Sequence, residues 1–199
     1  IKTIVIPSSV VSIENYSFSN CASLSKIIIP SSVKTIGKCA FNGCTSLKYL
    51  FIPSSITNIG ENAFKMCTSL EIISISKLIK LDILCINPNT IILNCNCFVQ
   101  FIEYLFSHGI EKDELIIELC KLNADNGNLD ALFTYAELLY KGEKIQINKE
   151  ESFRYYQMAA DDGNDLALNF CGFMLKNGDG IKMNKEEAVK YFSKAIEKG

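Results

Sequence analysis

A single arginine, Arg154, and a single histidine, His108, are all that this 199-residue chain offers of two side chains much used for phosphate clamping and proton transfer, and it has no tryptophan. Without further arginines the bidentate phosphate grip is missing, and no basic stripe replaces it. The net charge is −2, split between a mildly basic front (seven Lys against three Glu up to Leu78) and an acidic remainder (thirteen basic against nineteen acidic side chains). Nucleic acid is therefore not an expected partner. The unbroken run of about 18 apolar residues that a membrane helix needs is also absent. The most hydrophobic stretch, from Leu78 to Phe106, is interrupted by Lys80, Asp82, Pro88 and several Asn, so no membrane span is expected in this segment.

Disulfide scaffolding is not indicated. Nine cysteines, an odd number, are spread along the chain without the dense framework of a small secreted domain. That favours a reducing, cytoplasmic setting, with the cell surface as the alternative. Metal binding lacks a ligand set, because Cys95 and Cys97 form one C-x-C with no second pair and His108 stands alone. No glycine-rich phosphate loop or nucleophile elbow is present, and Gly178-x-Gly180 has neither the preceding strand nor the following lysine of a phosphate cradle. No catalysis and no cofactor are expected.

What the chain does have is periodicity. With 48% apolar residues it can bury a sizeable core. Phe18, Cys21 and Leu24 return as Phe41, Cys44 and Leu47 and as Phe64, Cys67 and Leu70, and Pro7, Pro30 and Pro53 keep the same 23-residue step. A fixed period of this size signals stacked repeats sharing one core. Leu47, Leu50 and Ile52 have the spacing of a short strand with alternate residues inward, and Pro53 ends it. Ile56 and Ile59 supply a second inward pair before Gly60, a residue free to adopt a backbone conformation that others resist. Ala63-Phe64 then forms a tight turn that plugs the coil. Cys21, Cys44 and Cys67 fall at one repeat position and read as a ladder of small buried hydrophobes.

These units resemble BspA-like leucine-rich repeats, which occur in surface and scaffold proteins. The resemblance covers Ile1 to about Ile79 and implies a solenoid with strands on one face, ligand recognition between the leucines, and no enzymatic activity. The register fails where a fourth unit would need an apolar residue at Asp82 and phenylalanine at Asn87. A capping segment or linker is expected over residues 80–97, with strands at Ile83-Leu84 and Ile91-Ile92-Leu93 around the Asn87-Pro88-Asn89 turn. The array is already in register at Ile1, and Gly199 is itself a repeat position, so the chain reads as a segment of something longer.

Between the inward anchors, Val5, Ile28 and Phe51 would stack as an outward apolar column flanked by Lys26, Lys48 and Tyr49. Such a stripe is either an interaction patch, with Tyr49 and Phe51 as anchors, or the ordinary preference of strands for branched and aromatic residues.

A second period begins later. Gly127, Gly163 and Gly199 are 36 residues apart, as are Gly142 and Gly178, Asn148 and Asn184, and Tyr155 and Tyr191. Lys141-Gly142 marks a helix C-terminus, and Asn148 or Asn184 before Lys-Glu-Glu marks the next N-terminus. Small residues such as Ala136, Ala159, Gly172 and Ala195 would let helices approach closely. Asp130-Ala131, Leu138, Gly142, Gly178-Asp179-Gly180-Ile181 and Tyr191-Phe192 are similar to Sel1-like repeats, relatives of the tetratricopeptide hairpin. The resemblance implies an α-superhelix over 98–199 that binds proteins or peptides, its first hairpin formed by Phe98 to Ser107 and Asp113 to Ala124. Groove candidates are Thr134, Glu137, Tyr140, Phe170 and Phe173, against the alternative that aromatics at helical spacing are core.

The expected fold is thus α+β, a leucine-rich coil followed by a helical solenoid. The expected function is a non-enzymatic scaffold binding protein or peptide partners; a surface adhesin segment and the regulatory region of a larger enzyme such as a kinase are the alternatives.

Overall fold

A computed structural model describes residues 2–75, 85–93, 98–109 and 113–198. Ile1, Asp82, Ile83-Leu84, Cys95, Cys97 and Gly199, which carry expectations above, lie outside these residues. The chain forms two units, Ile1–Tyr104 and Leu105–Gly199.

In the first unit each coil contributes a three-residue strand and a two-residue strand. The three-residue strands are β1 (Thr3–Val5), β3 (Lys26–Ile28), β5 (Tyr49–Phe51) and β7 (Ile72–Ser74), and the two-residue strands are β2 (Ser12–Ile13), β4 (Thr35–Ile36) and β6 (Asn58–Ile59). Pairing is parallel and follows the sequence period, as in Thr3 with Lys26, Ser12 with Thr35 and then Asn58, and Tyr49 with Ile72. In these pairs each residue therefore lies beside its own repeat equivalent. Leu47, Leu50, Ile52, Ile56, Ile59 and Phe64 are all buried in one core. The plugging rings stack face to face, Phe18 on Phe41 at 5.3 Å and Phe41 on Phe64 at 5.7 Å.

The polar residues of the repeat serve the same stacking. In Pro-Ser-Ser the second serine donates to a carbonyl one coil back, Ser32 to Val10 O at 2.7 Å and Ser55 to Val33 O at 2.9 Å. The cysteine column does likewise. Cys44 Sγ donates to Phe18 O and Cys67 Sγ to Phe41 O, at 3.2 and 3.1 Å. Gly37 and Gly60 are needed for a reason other than the expected one: neither has positive φ, but an added Cβ would lie 2.5 Å from Asn15 N or 2.4 Å from Lys38 N. Glycine lets adjacent coils touch backbone to backbone.

Left-handed backbone recurs with the period as well. Tyr16, Cys39, Asn62 and Cys85 have φ of 61, 54, 58 and 50°, and Asn20, Gly43 and Met66 have 60, 75 and 60°. Cys85 keeps the 23-residue register, and its Sγ donates to Asn62 Oδ1 at 3.0 Å. The ladder thus continues beyond Ile79, where loss of consensus predicts its end. β8 (Ile91–Leu93) pairs in parallel with β7, Ile91 following its partner Ile72 by 19 residues. Four residues are missing because the Phe-x-x-Cys turn is replaced by a tight one, in which Thr90 N donates to Asn87 O and Asn89 N to Asn87 Oδ1.

α1 (Phe98–Ser107) follows. The second unit contains α2 (Asp113–Asp125), α3 (Leu129–Lys141), α4 (Lys149–Asp161), α5 (Asp165–Asn177) and α6 (Lys185–Lys198). Asn128, Asn148, Asn164 and Asn184 cap the last four, each Oδ1 accepting from the backbone N–H three residues on, at 2.9 to 3.1 Å. Asn148 and Asn184 also donate to Glu151 and Glu187, so these carboxylates close a reciprocal cap besides meeting the helix dipole. Gly142 and Gly178 end α3 and α5 in the left-handed conformation, with φ of 69 and 66°. Gly172 lets α6 approach, since an added Cβ would lie 2.7 Å from Phe192.

Met66, 62% exposed, occupies a left-handed position that its sister coils fill with Asn20 and Gly43. Met66→Asn should raise the stability of this unit by about 1 kcal/mol, read from the urea midpoint at unchanged m-value.

Candidate functional site

The outward strand column is not a surface in the described coils. Ile28 is 2% and Phe51 8% exposed, and Val5 alone of the three stays open. Phe51 meets Phe98 edge-on at 5.1 Å and Phe101 at 5.7 Å, both from α1. This corrects two expectations. Ile28 and Phe51 are buried rather than exposed, Phe51 against a helix, and the start of α1, expected within the helical array, packs on the strand unit. Spacing shows which residues leave the coil, but not what lies against them.

Around that covered column a polar set remains. Lys48 and Tyr49 converge on one carboxylate, Lys48 Nζ at 3.9 Å and Tyr49 Oη at 3.0 Å from Glu71. Lys26 lies on the equivalent strand one coil earlier. The pair is exposed, and such surface ion pairs are worth little stability.

The helical unit presents a different surface. Tyr140 from α3, Asn169, Phe170, Phe173 and Lys176 from α5, and Phe192 from α6 line one open, mostly apolar groove. Phe173 is 47% exposed. The floor is aromatic and packed: Tyr156, fully buried, stacks on Phe170 at 4.9 Å with rings 6° apart, and Phe133 and Tyr140 meet Phe170 edge-on at 5.8 and 6.4 Å. Of the groove candidates, Tyr140, Phe170 and Phe173 come together here. Glu137 pairs instead with Lys141 at 2.9 Å, and Thr134 donates to Asp130 O.

A latch fixes the rim. Tyr140 Oη donates to Asp179 Oδ2 and Lys149 Nζ to Asp179 Oδ1, both at 2.6 Å, while the ammonium sits 4.9 Å from the Tyr140 ring centre. The Lys149 hydrogen bond, then that of Tyr140, holds the Asp179 carboxyl below its usual range, and Asp179 in turn raises the Tyr140 phenol. Gly180 is required beside it, with φ of 78° and a Cβ position 2.1 Å from that of Lys149. Sequence reasoning named Asp179 only as a match to the Sel1-like pattern and missed its pairing with Lys149, since a pair 30 residues apart leaves no local signal. Phe192 entered the sequence reading as a match to the Sel1-like pattern and not as a groove candidate.

No catalytic constellation is assembled among the described residues. His108 Nδ1 lies 2.9 Å from Ser107 Oγ on an exposed helix end, and no cluster of three potential metal ligands occurs among the described residues. The seven described cysteines are free thiols. Burial pushes Cys44 up to about 12, with Cys67 and Cys21 adding to it, and pushes Cys67 up to about 11 and Cys171 up to about 12. Cys120 is raised by burial alone. No described helix is long and apolar enough to cross a membrane.

A family model of the BspA type leucine rich repeat region, in six copies, matches residues 1–107, and a Sel1 repeat model matches residues 129–164 and 165–199. No curated protein matches the chain. Among solved structures, a Sel1 repeat protein from Oxalobacter formigenes is 22% identical with a TM-score of 0.46, over 49% of this chain and 76% of that one. A protective antigen of uropathogenic Escherichia coli is 20% identical with a TM-score of 0.45, over 50% of this chain and 22% of its own. A leucine rich cell surface protein from Faecalibacterium prausnitzii is 30% identical with a TM-score of 0.42, over 51% of this chain and 28% of its own. The chain thus spans less than a third of the antigen and of the cell surface protein.

The burial of Phe51 fixes the outcome of its removal. Phe51→Ala should destabilise the strand unit by about 3–5 kcal/mol in urea denaturation, whereas Tyr49→Ser should cost less than about 1 kcal/mol. Thiol chemistry gives a second check. At pH 8, alkylation mapped by peptide mass should mark exposed Cys85 well before Cys44, Cys67, Cys120 and Cys171. Since the folded thiols titrate above the unfolded value of 9.0, their contribution is complete below pH 9 and is lost as pH rises toward 11–12, so stability should fall across that window.

Proposed function

Because the chain belongs to the BspA-type leucine-rich repeat family and continues into Sel1 repeats, we propose that it is a non-catalytic module that binds protein or peptide partners through the groove of its helical unit. The observation that carries this reading is the convergence of Tyr140, Phe170, Phe173 and Phe192 on one open surface, with Lys176 and Asn169 at its edge. An aromatic floor supplies contact area at little conformational cost, and the half-exposed Phe173 is the anchor a partner would desolvate. The strand face enters this function less, because Ile28 and Phe51 of its apolar column are buried, Phe51 against α1. Lys26, Lys48 and Tyr49 remain as a polar rim for a second contact.

The same reading places the module at a cell surface. Unpaired cysteines argue for a reducing compartment only where their thiolates are accessible, and burial suppresses the thiolates of Cys44, Cys67, Cys120 and Cys171. These four cysteines therefore do not select the cytoplasm. Surface proteins are also among those in which BspA-like repeats occur.

A selection of displayed peptides on the purified protein tests the groove. Selected sequences should carry an aromatic or large aliphatic residue, and Phe173→Ser should weaken their binding at least about tenfold while leaving the thermal midpoint within about 2 °C. Equal binding by this variant removes the groove as the site.

A further inference from the structure

We propose that Asn15 is an acceptor for an N-linked oligosaccharide. The chain holds seventeen asparagines, yet Asn15-Tyr16-Ser17 is its one Asn-x-Ser/Thr triplet. The structure presents that triplet openly. Asn15, Tyr16 and Ser17 are all exposed, at the turn after β2 where Tyr16 has φ of 61°. Asn15 Oδ1 accepts the Lys38 backbone N–H at 2.7 Å, which fixes the amide by its oxygen. Its Nδ2 has no hydrogen-bond partner among the described residues, so the nitrogen that would carry a sugar is uncommitted. The repeat itself shows that the position tolerates bulk. Its equivalents are Lys38 and Glu61, long exposed side chains that reach each other at 3.6 Å outside the coil. Ser17 Oγ donates to Glu14 O and leaves the core untouched.

The transfer needs a lipid-pyrophosphate-linked oligosaccharide as donor. Asn15 Nδ2 forms a bond to the anomeric carbon of the first sugar, and the bond from that carbon to the pyrophosphate oxygen breaks. The lipid pyrophosphate leaves, and the amide proton passes to a base on the transferase. The product amide keeps its carbonyl oxygen, so Asn15 can still accept from Lys38. A glycan here would hydrate the coil surface without reaching the Phe18–Phe41–Phe64 stack.

The inference rests on the surface location proposed above. Protein purified from the cells that make it would be treated with peptide-N-glycosidase in oxygen-18 water, and the tryptic peptide from Thr3 to Lys26 weighed. Conversion of Asn15 to heavy-oxygen aspartate is expected, together with faster gel migration. Ser17→Ala should abolish the conversion and Ser17→Thr should keep it, and both variants retain Asn15 and its bond to Lys38. Unconverted Asn15 on protein exposed at the cell surface overturns this inference and leaves the location standing. Unconverted Asn15 on protein confined to the cytoplasm overturns both.

Discussion

Backbone contact between successive coils is the constraint on which the strand unit depends. Gly37 and Gly60 allow it, since a single Cβ at either would fall within 2.5 Å of the neighbouring coil's main chain. Once the coils touch, the parallel ladders lock at one period, and each residue meets its own equivalent. That is why identity, rather than mere hydrophobicity, recurs: a phenylalanine stacks on a phenylalanine, a serine or cysteine reaches the carbonyl one coil back, and a left-handed residue follows a left-handed residue.

The fourth coil shows how far this constraint reaches when consensus fails. Cys85 holds the left-handed position in register, four residues are then dropped at the Asn87 turn, and β8 still pairs with β7. Backbone pairing is indifferent to side-chain identity, so the ladder outlives the motif. α1 then sets Phe98 and Phe101 on Phe51, which turns that outward position of the strand face into core.

In the helical unit the organising contact is electrostatic as well as apolar. Asp179 in the loop after α5 draws in Tyr140 from α3 and Lys149 from the start of α4, so successive repeats are tied at the groove's edge. The tie is complete above the ordinary carboxylate range and is lost as pH falls through the lowered Asp179 pKa. Phe170, stacked on Tyr156, carries the same connection through the interior. For the binding proposed above, a floor packed in this way would lower the entropic cost.

Much of this was legible beforehand, because repetition turns three-dimensional packing into a linear signal. The 23-residue and 36-residue periods, the inward positions Leu47, Leu50 and Ile52, and the caps Asn148 and Asn184 follow from local rules that each unit restates. Contacts that occur once leave no such trace. The covering of Phe51 by α1, the four-residue slip that sets Ile91 beside Ile72, and the Asp179 latch are each made by contacts that the repeats do not restate. Sequence by itself determined the two architectures and their inner faces, since those are sums of short-range preferences. Tertiary structure alone decided which outward residues stay at the surface, because exposure depends on what another part of the chain lays over them.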